Sequence, residues 1–137
     1  MNIAHILIPK QDVAYMYNDF TLRQGLERMR NSGYTAVPVI NKLNKYVGTV
    51  SEGDFLWYLI DEQKDGLHKI NKKDIEGISI KKILRKDNIL PVRITATIEE
   101  LLAKLLNNNF IPVVDDRNIF IGIITRRDII KYFIDKK

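Results

Sequence analysis

The stretch Val47-Gly48-Thr49-Val50-Ser51-Glu52-Gly53-Asp54 returns 74 positions later as Ile121-Gly122-Ile123-Ile124-Thr125-Arg126-Arg127-Asp128. The likeness extends on both sides. Over residues 37–61 and 111–135, eight of 25 positions are identical, including Pro38-Val39 with Pro112-Val113, and five more exchange one aliphatic for another. A repeat of this size means two copies of one supersecondary unit, each too small to bury a core alone, so the two are expected to share one.

Each copy reads as strand, helix, strand, strand, helix. In the first, Val13 to Tyr17 is an apolar strand, and Leu22, Leu26 and Met29 form one stripe of an amphipathic helix that Asn31-Ser32-Gly33 ends. Strands over Ala36 to Ile40 and Tyr46 to Ser51 flank a polar turn, and Phe55, Leu56 and Leu59 mark a second helix. The second copy places a strand at Ile89 to Ile94 and a helix on Ile98, Leu101, Leu102 and Leu105, ended by Asn107-Asn108-Asn109. Strands at Ile111 to Val114 and Phe120 to Thr125 follow, then a helix with Ile129, Ile130 and Phe133. From helix start to shared proline the spacing is 16 in the first copy (Leu22 to Pro38) and 14 in the second (Ile98 to Pro112), so the loops differ. The expected organisation is repeat 1 over 1–62, a polar linker over 63–78 and repeat 2 over 79–137, an α/β fold.

With 45% hydrophobic residues in 137, the chain has the apolar material of one ordinary domain. The absence of cysteine excludes disulfides, thiolate metal sites and thiol nucleophiles, and fits a cytoplasmic protein. No apolar run approaches the roughly 20 residues of a spanning helix, and the first ten residues lack a signal-peptide pattern, so neither membrane insertion nor export is expected. The net charge of +5 is concentrated in Lys69, Lys72, Lys73, Lys81 and Lys82, the pattern of a solvated basic linker. Without interleaved aromatics or a groove-reading helix, a nucleic-acid partner is not expected.

Chemistry concentrates where strand meets helix. Ser51-x-x-Asp54 and Thr125-x-x-Asp128 fit a capping box, although Glu or Gln is the usual partner there. The same residues also suit a ligand: a helix N-terminus presents free N–H groups to an anion, and a carboxylate beside it can hold a ribose diol. Arg126-Arg127 in a first turn oppose the helix dipole at about 0.3–1 kcal/mol each, and a bound phosphate reverses that sign. Glu52 stands where the second copy has Arg126, so the two sites are not equivalent and the one at Thr125, Arg126, Arg127 and Asp128 is the stronger anion site.

In these motifs the chain resembles the cystathionine-β-synthase (CBS) domain family in its paired-repeat form. The resemblance covers nearly the whole chain: a hydrophobic residue plus Pro-Val (37–39, 111–113), then glycine, two hydrophobics, Ser or Thr, two variable residues and Asp (48–54, 122–128). It implies two tandem repeats packed as one pseudo-twofold module, with two clefts that bind adenine nucleotides. The main cleft would combine Ala14, Tyr34, Thr35, Ala36 and Pro38 around the base with Asp128 on ribose and Thr125, Arg126 and Arg127 on phosphate. The second would join Ser51 and Asp54 to Leu90, Asn109, Phe110 and Ile111. Gly33 to Val39 together with Thr125-Arg126-Arg127 look most like small stand-alone bacterial CBS proteins that bind cyclic di-AMP.

The remaining features are plainer. His5 and His68 are isolated, so no metal site is expected. Tyr34 either packs at a strand entry or stacks on an adenine, and Asp115-Asp116 is a solvated turn. Trp57 sits in an apolar helix and suggests a homodimer contact. With no nucleophile, base and orienter together, neither an enzyme nor a catalytic cofactor is expected. The expectation is a regulatory module that binds an adenine nucleotide (AMP, ADP, ATP or cyclic di-AMP) and signals to a separate effector protein. The alternative is a ligand-free dimeric scaffold.

Overall fold

The computed structural model describes residues 2–62, 75–84 and 89–135. The chain divides into two compact units. The first comprises Ala14–Lys42 and Val47–Asn88, and the second Met1–Val13, Leu43–Tyr46 and Ile89–Lys137.

In the first unit, β2 (Met16–Tyr17) runs parallel to β3 (Ala36–Ile40), which neighbours β4 (Tyr46–Ser51). Helix α1 (Leu22–Ser32) starts at a full capping box, with the Gln24 N–H on Thr21 Oγ1 and the Thr21 N–H on Gln24 Oε1. It ends at Gly33, whose φ of 74° supplies the left-handed cap. Helix α2 (Glu52–Glu62) follows β4 directly. Met16, Leu22, Met29, Val37, Val39, Val50 and Phe55 are buried together with Ile80 and Ile83.

In the second unit the strand order is β1 (Ile8–Pro9), β7 (Phe120–Thr125), β6 (Phe110–Val114), β5 (Val92–Arg93). β1 and β6 run antiparallel to β7, and β5 runs parallel to β6. Helices α3 (Ile98–Leu105) and α4 (Arg126–Asp135) complete it. Val92, Leu101, Leu105, Ile111, Val113, Ile124 and Ile129 are buried together with Ile3.

These clusters correct the expectation of one shared core: among the described residues there are two, and each takes in residues from the other copy's end of the sequence. Ile3-Ala4-His5-Ile6-Leu7 and Ile80-Lys81-Lys82-Ile83-Leu84 carry the same I-x-x-I-L pattern. Each opens with a 3-10 turn capped by a side chain, Asn2 or Ser79. The Ile80 segment is tied into the first unit by the Ile80 N–H on Phe20 O (2.8 Å), the Leu22 N–H on Ile78 O (2.9 Å) and Ser79 Oγ on Asn18 O (2.8 Å). The expected strands at Val13 to Tyr17 and Ile89 to Ile94 are only two residues long, because turns and loops occupy the rest. Ile130 and Phe133, read as helix markers, lie on the exposed side of α4. Asp115 shapes its turn, with Oδ1 accepting from the N–H groups of Arg117 (2.8 Å) and Ile119 (2.9 Å), while Asp116 is solvated. Asn44 and Asn118, identical in the repeat, both hold left-handed turns, at φ 64° and 66°. Most of the linker, with His68 and Lys64, Lys69, Lys72 and Lys73, lies outside the described residues.

Gly122 makes the pairing of β1 possible. It lies opposite Pro9 with φ at 156°, and a Cβ there would sit 2.1 Å from Ile8 O, a backbone atom that cannot yield without breaking the strand pair. Gly122→Ala is therefore expected to cost at least about 2 kcal/mol in urea denaturation, as strain and overpacking combine.

Candidate functional site

In both units the strand runs straight into the helix, and the first helical N–H returns to the loop that leads into the neighbouring strand, β3 or β6. Glu52 donates to Thr35 O at 2.9 Å, and Arg126 donates to Asn109 O at 2.8 Å. The side chains then diverge.

At the first junction the capping box closes on itself. The Asp54 N–H reaches Ser51 Oγ (3.3 Å), the Ser51 N–H reaches Asp54 Oδ2 (2.8 Å), and Asp54 is 8% exposed. At the second, Thr125 Oγ1 accepts the Asp128 N–H (3.0 Å), but the half-buried Asp128 carboxylate has no hydrogen bond or ion pair among the described residues. The Arg127 side chain is exposed and likewise has no partner among them. Arg126 points elsewhere: Nε donates to Leu105 O (2.8 Å) and Nη2 to Leu106 O (3.3 Å) at the end of α3. A cation at a helix C-terminus is favoured, so its charge is balanced there and Arg127 is left facing the unfavourable end of the α4 dipole.

Asp128 opens onto a groove of about 440 Å3 within the second unit, a volume in the range of small-molecule sites. One wall is His5 to Ile8. The other is Asp128, Lys131, Tyr132 and Asp135, which share one helical face. The sequence reading missed the His5 wall and the Lys131, Tyr132 and Asp135 face. The I-x-x-I-L pattern shared by the N-terminus and Ile80 to Leu84 was the available signal for the first.

Of the residues expected in the main cleft, Thr125, Arg126, Arg127 and Asp128 belong to the second unit and Ala14, Tyr34, Thr35, Ala36 and Pro38 to the first. Tyr34 is 57% exposed, so its ring is not spent on packing; Thr35 is exposed, Ala14 and Ala36 are half-buried and Pro38 is buried. Of those expected in the second cleft, Ser51 and Asp54 are in the first unit. Leu90, Asn109, Phe110 and Ile111 are in the second, with Leu90 and Asn109 exposed and Ile111 in the core. His5 is exposed at the groove wall, and no group of three metal-ligating side chains forms among the described residues. No helix among them is long and apolar enough to cross a membrane.

The chain belongs to the CBS domain family, whose model matches residues 3–61 and 80–135. It is similar to the cyclic di-AMP receptor B of Bacillus subtilis, 26% identical over 129 residues that cover 94% of this chain and 84% of the receptor. It also matches the uncharacterized protein MJ1225 of Methanocaldococcus jannaschii, 28% identical over 131 residues, where it spans 46% of that longer protein. Among solved structures, CbpB in complex with c-di-AMP superposes with a TM-score of 0.86 at 31% identity, covering 97% of this chain and 84% of that one.

The two junctions respond differently to loss of their acids. Asp54→Ala breaks a closed box around a buried carboxylate and is expected to cost about 1–2 kcal/mol by chemical denaturation. Asp128→Ala removes a carboxylate that nothing described in the fold uses and is expected to stay within about 0.5 kcal/mol of wild type.

Proposed function

We propose that this protein is a regulatory module that binds an adenine nucleotide and relays its presence to a separate effector protein. The observation that carries this reading is the unpartnered Asp128 carboxylate, beside the exposed Arg127 at a helix N-terminus, in the copy whose counterpart has closed into a cap. Asp128 holds the ribose diol, and Arg127 and Thr125 face phosphate. Ala14, Tyr34, Thr35, Ala36 and Pro38 surround the base. The second cleft, at Ser51, Asp54, Leu90, Asn109, Phe110 and Ile111, is weaker because its acid is already engaged.

Cyclic di-AMP is the favoured ligand. The likeness to CbpB, solved with c-di-AMP, and to the Bacillus receptor supports it. A ligand that touches both repeats favours whichever arrangement closes on it, and the effector reads that population shift. We assign no catalytic role and place the protein in the cytoplasm, as befits a chain without cysteine.

Thermal melts with AMP, ATP and cyclic di-AMP test this reading. At about 100-fold over its dissociation constant, a ligand specific for the folded state adds about 2.7 kcal/mol. A rise with cyclic di-AMP that Asp128→Ala abolishes is expected. Flat melts with all three at millimolar concentration would leave the scaffold reading in place.

We further propose a homodimer built on α2 and α4. Leu56, Trp57 and Ile60 on α2 and Ile130, Phe133 and Ile134 on α4 are exposed, with Trp57 at 64%. Large apolar side chains in such number mark an association surface. Sedimentation is expected to give a two-chain species for wild type and single chains for Trp57→Lys with Phe133→Lys.

A further inference from the structure

Helices α1 and α3 occupy equivalent places in the repeat but end differently. α1 finishes on left-handed Gly33, whose N–H donates to Met29 O at 3.0 Å. α3 has no glycine there. Its cap residue Leu106 stays right-handed, the helix is three residues shorter than α1, and the loop over 106–109 that follows is one residue longer than that over 33–35. A helix that ends without a left-handed cap leaves carbonyls to be satisfied by other groups. Here side chains supply them: Asn108 Nδ2 donates to Lys104 O at 2.9 Å, and Arg126 covers Leu105 O and Leu106 O. The planar guanidinium suits two adjacent acceptors, whereas Glu52, at the same place in the first copy, has no proton to donate.

We propose that Arg126 is a positioning residue. Its side chain on Leu105 and Leu106, with its own N–H on Asn109, clamps the loop over 106–109 to the first turn of α4 and so holds Thr125, Arg127 and Asp128 in place. With Nε and Nη2 turned onto these carbonyls, Arg126 is directed to the end of α3, and Arg127 is the exposed cation of the first turn. The ligand in this inference rests on the nucleotide reading; the clamp does not.

The test titrates AMP and adenosine into the full chain and its Arg126→Gln, Arg126→Lys and Arg127→Gln variants, with backbone amide exchange followed in parallel. Arg126→Gln is expected to weaken both ligands together, on the order of tenfold, because misplacement affects every contact. It is also expected to speed exchange at Leu106, Asn107 and Arg126, with Arg126→Lys in between. Arg127→Gln is expected to weaken AMP roughly tenfold, the loss of one charge-assisted bond, while leaving adenosine and the exchange rates unchanged. An Arg126→Gln chain that loses AMP alone, with exchange at Leu106 unaltered, would overturn the inference and make Arg126 a phosphate ligand. If wild type binds neither ligand, the nucleotide reading fails, and the exchange contrast between the Arg126 and Arg127 variants then decides the clamp by itself.

Discussion

Everything in this fold depends on two short apolar segments finding cores that the order of the chain does not assign to them. Ile3 and β1 complete the unit that contains residues 89–135, and Ile80 with Ile83 completes the unit that contains α1 and α2. Both insertions are tight. A Cβ at Gly25 would lie 2.5 Å from the tip of Ile80, itself fully buried, and at Gly122 the Ile8 carbonyl fills the place of a side chain. In helix interiors alanine ordinarily gains about 1 kcal/mol over glycine, yet the overpacking that a methyl at Gly25 would cause outweighs it at about 1–3 kcal/mol. Close packing thus fixes which residues can stand at these positions.

On this frame the two copies use one backbone plan for two purposes. The bond from the first helical N–H to the loop over 33–35 or 106–109 is the same within 0.1 Å, so at the junction itself the copies differ in their side chains. In the first unit Asp54 is consumed by the cap, and Gly33 ends α1 by backbone geometry. In the second, the helix ends on right-handed Leu106, and a long cationic side chain does the work of the glycine. The adjacent Asp128 and Arg127 remain unengaged among the described residues. One copy is optimised as structure and the other keeps polar groups available.

Much of this was legible beforehand. The strands over Ala36 to Ile40, Tyr46 to Ser51 and Phe120 to Thr125 and the apolar stripes of α1 and α3 follow from periodicity, since each element is long enough to display one. β1, β2 and β5 are two residues each and show no period, so the Ile8–Pro9 strand went unread and the other two were drawn too long. The I-x-x-I-L pattern escaped notice because it recurs at an offset of 77 where the rest of the repeat keeps 74. Thr125 and Asp128 were recognisable by spacing. The engagement of Arg126 was not, because its acceptors lie 20 and 21 residues away and are backbone carbonyls, which leave no mark in a sequence.

The borrowed N-terminal segment also sets an order of assembly during synthesis. The first unit draws on nothing beyond Asn88 apart from its turn, so it can close while the remainder is still being made. Ile3, Ile6, Leu7 and Ile8 must wait for Ile123, Ile124 and Ile129, which at 5–20 residues per second arrive roughly 6–25 seconds later. During that interval the strip that will wall the groove is an unpaired apolar strand. The unit that carries Asp128 and the groove is therefore the last part of the protein to form, and a truncated or stalled chain presents a first unit without either.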